Sequence, residues 1–286
     1  MNASDRFSDF AIRGILPGQN VELIFTPVHD LVRGRSTTFF CTPAFCVAHA
    51  PVICGYRAFE GLAPEDSPLV DRAILAHALK FARRLGQAGV YVSVGAPVNF
   101  LTLSSSQNRE AYCETLRAAG VPEYPFVVLI VQDLPLGITA SKLAEVIASL
   151  RPLAKRIFVQ LPNVDTALLG SGHLGADGFI LSLPPHQRPT QVAAADWLAK
   201  MCETQTALSC MDQIDNEGAV EIVRAASIRF GRGAAFGPAE FRGDAPPIDV
   251  EAFMRNATRG TRSSSSQEAH GFGLPRAMRT PVHRLN

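Results

Sequence analysis

TALSCMDQIDNEGAVEIVRAASIRFGRGAAFGP, residues 206–238, reads as a short apolar strand, an acidic turn, an amphipathic helix and a second strand bounded by glycine. This is one βα unit followed by the start of another. Asp212, Asp215 and Glu217 then sit where a strand ends, which is where barrel and open-sheet α/β proteins place their chemistry.

The same alternation extends back through the chain. VELIFTPVHDL (21–31) is a β-branched apolar run that stops at Arg33-Gly34, and STTFFCTPAFCVA resumes it, so a strand, a turn and a second strand are predicted. Residues 69–85 carry Val70, Ile74, His77, Phe81 and Leu85 at helical spacing, with Asp71, Lys80 and Arg84 off that stripe. VYVSV (90–94), FVVLIV (126–131), RIFVQL (156–161) and GFILSL (178–183) are continuous apolar runs, the pattern of strands covered on both faces. Helical segments lie between them, among them 141–154 with Thr139 as its cap and 193–205. About seven or eight strands alternate with helices, and a closed TIM-like (β/α)8 barrel is the most economical fold. A doubly wound open sheet is the alternative, but no glycine-rich phosphate loop follows the first strand.

At 286 residues, 47% hydrophobic and 19% charged, the chain suits one large core. Its formal net charge of +1 offers no global field to attract nucleic acid or an anionic membrane. No apolar run reaches membrane-span length and MNASDRFSDFAIRG has no secretory core, so a cytoplasmic location is expected. The six cysteines form no CxxC pair and read as buried free thiols. The expected organisation is an N-terminal arm (1–19), a barrel (20–240), a terminal helix or linker (241–257) and a Ser- and Arg-rich disordered tail (258–286).

Asp212, Asp215 and Glu217 have the chemistry to hold a hard cation, yet Asp215 and Asn216 also suit a helix cap and Glu217 suits the first turn. Gly231-Arg232-Gly233 offers an arginine to a phosphate, while glycine at a short strand equally marks a tight barrel corner. His77 reads as a core histidine. No GxSxG elbow, Walker A loop, dinucleotide fingerprint or HxxxH spacing occurs.

The order of these elements resembles the EAL domain family, bacterial barrel enzymes that hydrolyse cyclic di-GMP with two divalent cations. Phe25-Thr-Pro-Val-His-Asp-Leu-Val-Arg-Gly-Arg is similar to the family's opening strand and turn, and residues 206–238 to its closing segment, so the resemblance covers about 20–240. Carried over position by position, the resemblance puts Phe40 where the family has the glutamate of its name, followed by Cys41 and Thr42, and puts Ala44 at the next arginine. Gly95 stands at the metal-binding asparagine, Ile130 at a strand-end glutamate, Gln160 and Leu161 at the paired aspartates, and Ile180 at the lysine. Met211 to Asp215 replaces the later acidic motif, and Arg232 replaces the glutamine before the closing glycine.

Two adjacent cations need several anionic oxygens to offset their repulsion, and these replacements supply almost none. The expectation is therefore a degenerate EAL domain without catalytic residues, resident metal or cofactor, acting on an unknown protein partner as a signalling module. Asp133, Asp212, Asp215 and Arg232 are the remaining ligand-binding candidates. Cyclic di-GMP binding without turnover is the alternative, and a homodimer follows only from the resemblance. A divergent phosphodiesterase would have to use Mg²⁺ or Mn²⁺ on displaced acids such as Asp133, Asp165, Asp212 and Asp215.

Overall fold

A computed structural model of the chain describes residues 21–45, 53–54, 67–87, 89, 92–118, 127–164, 172–185 and 187–236. The expected arm, linker and tail, together with Asp165, lie outside these residues. The strands are β1 (Val21–Asp30), β2 (Arg35–Phe45), β3 (Ile53–Cys54), β4 (Ser93–Asn99), β5 (Val127–Gln132), β6 (Arg156–Leu161), β7 (Gly178–Ser182), β8 (Leu208–Asp212) and β9 (Phe230–Gly231). The helices are α1 (Ser67–Gln87), α2 (Phe100–Ser104), α3 (Ser106–Ala118), α4 (Ala140–Leu150), α5 (Arg188–Gln205) and α6 (Glu217–Ala225).

β1 pairs with both β2 and β9, so the sheet closes into an eight-stranded barrel, and β3 only extends β2. Closure rules out the doubly wound open sheet. The barrel is parallel from β2 through β9, while β1 runs antiparallel to its two neighbours, as a two-strand hairpin start requires.

Local chemistry fixes most element ends. The Thr139 hydroxyl accepts from the Lys142 amide to start α4, and the Asn216 side chain accepts from Ala219 N at 2.9 Å to start α6. Asn216, and not Asp215, is therefore the cap. β4 continues past the predicted run through Gly95 and Pro97 to Asn99. Pro97 is tolerated because the β2–β4 ladder ends at Phe40 and Gly95, leaving no partner on that side for its missing N–H.

Alternation along the strands divides the core in two. Outward residues such as Phe25, Leu129, Phe179 and Met211 pack with helix residues such as Ile74, Leu143 and Trp197. Phe25 stacks on Phe81 of α1 with ring centroids 3.9 Å apart, which fixes that helix on the hairpin. Inward residues Val28, Phe40, Val128, Ile130, Phe158, Ile180 and Cys210 form a separate lumen cluster. Cys41, Cys113, Cys202 and Cys210 are buried free thiols, as expected. Asp71 departs from the sequence reading: it is fully buried.

The barrel seam is short. Only His29 with Gly231 and Asp30 with Phe230 are in register between β1 and β9. Two arginines reinforce it. Arg229 donates from Nη2 to the buried Asp30 Oδ2 at 2.7 Å, and Arg232 reaches across to Thr26. The backbone around Arg232 is set by bonds from Arg232 N to Met211 O (2.9 Å), Ile214 N to Arg232 O (3.0 Å) and Ala235 N to Ile214 O (2.9 Å). Gly233 makes that zipper possible, since a Cβ there would fall 2.3 Å from the Ile214 backbone. Gly233→Ala is expected to destabilise the protein by about 2–4 kcal/mol in urea unfolding, because backbone is what must move.

Candidate functional site

The carboxyl ends of the parallel strands form one mouth. Below it, the lumen is filled by apolar side chains, three of them at positions the sequence singled out. Phe40, Ile130, Leu161 and Ile180 are each at most 4% exposed. Phe40, Ile130 and Ile180 belong to the lumen cluster, whereas Leu161 faces the outer layer between strands and helices. Gln160 lies next along β6 and is half-buried on the inner face.

Gly95 and Phe40 are complementary. A Cβ on Gly95 would lie 2.6 Å from Phe40 Cδ1 and 2.7 Å from Ile130 Cδ1, so the phenyl ring occupies the space that any side chain at 95 would need. Phenylalanine on β2 and glycine on β4 fit one another as a packed pair.

Arg232 closes the mouth over this floor. Its guanidinium binds Asp212 through two nitrogens, Nε to Oδ1 at 2.8 Å and Nη2 to Oδ2. Nη1 donates to Thr26 Oγ1 and Thr42 Oγ1, each at 3.2 Å, and the group lies 5.3 Å from the centre of the Phe40 ring. The arginine from the end of β9 is thereby joined to β1, β2 and β8. The bidentate geometry is what a planar fork favours, and the ring below adds a cation–π contact. With side-chain exposures of 20% and 10%, the pair is largely withdrawn from water.

Of the four ligand-binding candidates, the structure brings Asp212 and Arg232 together as partners of one another. Asp215 and Glu217 are exposed beyond the mouth. Asp133 follows β5 with φ of +55° and accepts from Asn99 Nδ2 at 3.0 Å, and burial of its carboxyl raises its pKa. Among the described residues, no group of three His, Cys, Asp or Glu side chains is placed to hold a metal ion. The donors among the described residues do not fit a two-cation centre.

Sequence reasoning missed three contributors. Thr26 and Thr42 lie in apolar strands, and only strand pairing reveals that they flank Arg232. Asn99 was hidden by the glycine and proline of β4. Its side-chain oxygen accepts from Leu101 N at 2.8 Å while its amide holds Asp133.

With this geometry in view, the solved structures decide the architecture. Residues of this chain superpose on the Klebsiella pneumoniae BlrP1 complex with manganese and cyclic di-GMP at TM-score 0.59 and 17% identity, covering 82% of this chain and 59% of that one. The chain has the fold of an EAL domain. An EAL domain protein from Listeria monocytogenes matches at TM-score 0.56 and 12% identity, covering 83% and 92% of the two chains. The Xanthomonas citri FimX EAL domain in complex with cyclic di-GMP matches at 0.57 and 13%, covering 74% and 85%. The chain thus spans only about three-fifths of the Klebsiella chain. No protein-family profile and no curated protein sequence matches it. Among the described residues, no helix is long and apolar enough to cross a membrane.

Two outcomes test the site. Asp212→Asn is expected to cost about 2–4 kcal/mol in denaturant unfolding, since it leaves the Arg232 charge poorly compensated while some water reaches the rim. Gly95→Ala is expected to lower stability by about 1–3 kcal/mol through overpacking against Phe40, and Phe40→Leu in the same background should recover part of that loss.

Proposed function

We propose that this EAL-like domain is catalytically silent and works as a regulatory protein-interaction module in cyclic di-GMP-linked signalling. The observation that carries the reading is the Arg232–Asp212 pair seated over Phe40. A cation and its own counter-ion fill the mouth, and the floor beneath offers rings and aliphatic groups where hydrolysis with two metals needs oxygens. Charge that is already neutralised inside the protein gives an incoming divalent ion little to bind. The link to cyclic di-GMP rests on two of the structural neighbours, the Klebsiella pneumoniae and Xanthomonas citri proteins, which are complexes with that nucleotide.

A second reading, a receptor that binds cyclic di-GMP without turnover, is favoured by one feature. Arg232 is bidentate to a carboxylate, and the same fork suits a phosphate diester. A diester would have to displace Asp212 and leave that carboxylate without its main partner, which weighs against this reading.

The test is incubation of the purified protein with labelled cyclic di-GMP and Mg²⁺ or Mn²⁺, followed by equilibrium dialysis and chromatography. Neither retention nor linear dinucleotide is expected at micromolar protein. Retention of intact nucleotide that is lost in Arg232→Ala would establish the receptor, and metal-dependent linear product would overturn the silent reading.

A further inference from the structure

The end of the barrel opposite the mouth, where the parallel strands begin and the helices finish, carries a basic sector that the formal net charge of +1 conceals. Lys155 and Arg156 open β6, Lys200 lies near the end of α5, and Arg224 is in the last turn of α6. All four are exposed, and none forms an ion pair among the described residues. Arg33, in the β1–β2 turn, and Arg229, just before β9, share the single buried carboxylate of Asp30. Elsewhere on this end the charges are offset locally, Arg117 by Glu110 and Arg151 by Asp177. The sheet order places β6, β7, β8, β9 and β1 side by side, so the basic sector is continuous and about 20 Å wide. The negative ends of helices favour Lys200 and Arg224, but Arg33, Lys155 and Arg156 lie on no helix.

Within this sector, α5 and the connection from α6 to β9 enclose a cleft of about 720 Å³. Lys200 and Arg229 line it with cations, Asp196 and Glu203 with carboxylates, and Leu208 with apolar surface. Arg229 spends Nη2 on Asp30 and retains further N–H donors, and its side chain is 29% exposed. Ser227 brings a hydroxyl to the same cleft at φ of +59°, a conformation in which glycine would be free of strain.

We propose that this cleft and the basic sector around it dock an acidic, partly apolar segment of a partner protein. The inference rests on the interaction-module reading for its class of partner, and it places the surface at the end away from the mouth. A peptide can space its carboxylates to meet Lys200, Arg224 and Arg229 while an apolar side chain covers Leu208. A continuous row of nucleic-acid phosphates would also meet Asp196 and Glu203 on the α5 wall, and an anionic bilayer is too flat to enter the cleft.

Fluorescence anisotropy of a fluorescein-labelled peptide of repeated Glu-Glu-Leu, titrated with the full chain, tests this. Saturable binding is expected at low salt, weakening as the Debye length falls from about 30 Å to about 8 Å. Lys200→Glu combined with Arg224→Glu should weaken binding by about tenfold or more. Both residues are exposed and without an ion-pair partner among the described residues, so the fold survives the change. Lys142→Glu combined with Arg188→Glu, the same change in charge at the mouth end, should shift binding by less than about twofold. No binding, equal weakening in the two double variants, or tighter binding of duplex DNA or phosphatidylserine vesicles than of the peptide at the same salt would overturn the proposal. Cleavage of cyclic di-GMP at the mouth would overturn the silent reading alone, whereas failure of the peptide to bind would overturn this surface alone.

Discussion

The arrangement at the mouth depends on one guanidinium. Arg232 leaves the shortest strand of the barrel and makes contact with three others, through Asp212, Thr26 and Thr42, while resting on the ring of Phe40. Its backbone is held on the Met211 to Ile214 segment by two hydrogen bonds, with a third from Ala235 beside them, and that approach is open only to glycine at 233. Closure of the barrel and occupation of its mouth are therefore the same structural event. A buried ion pair contributes little net stability over an apolar substitute, but it fixes geometry, because either partner alone would be an uncompensated charge in a place with little water.

Beneath the pair, the lumen behaves as an ordinary hydrophobic core. Phe40 and Gly95 divide between them a volume that two medium side chains would otherwise share, and Ile130, Phe158 and Ile180 complete the packing. An interior of this kind is close-packed, so restoring even one polar side chain requires concerted repacking of its neighbours. The apolar side chains on successive strands are thus coupled to one another through packing.

Much of the fold was legible in the sequence. Continuous apolar runs marked the parallel strands, and Thr139 and Asn216 marked helix starts, because these signals act over a few residues. The positions Phe40, Ile130 and Ile180 came from the resemblance to the EAL family and not from local pattern, and the structure places all three in the lumen cluster. What escaped notice were long-range relations. Asp212 and Arg232 were read separately as ligands, since nothing local reveals that residues twenty apart neutralise each other. Asp71 looked like a solvent-facing helix residue, because its partners Asn99 and Thr102 arrive only with the next strand and helix. Gly95 and Pro97 disguised the length of β4, which is allowed by the end of the β2 ladder rather than by its own propensity.

Diffraction from crystals soaked in Mn²⁺ and cyclic di-GMP, with anomalous data collected at the manganese edge, tests most directly whether the protein fills its own mouth. The account predicts no anomalous peak on the barrel axis and an Arg232 guanidinium still bidentate on Asp212. Two manganese peaks about 3.5–4 Å apart above Phe40, with Arg232 swung away, would contradict it.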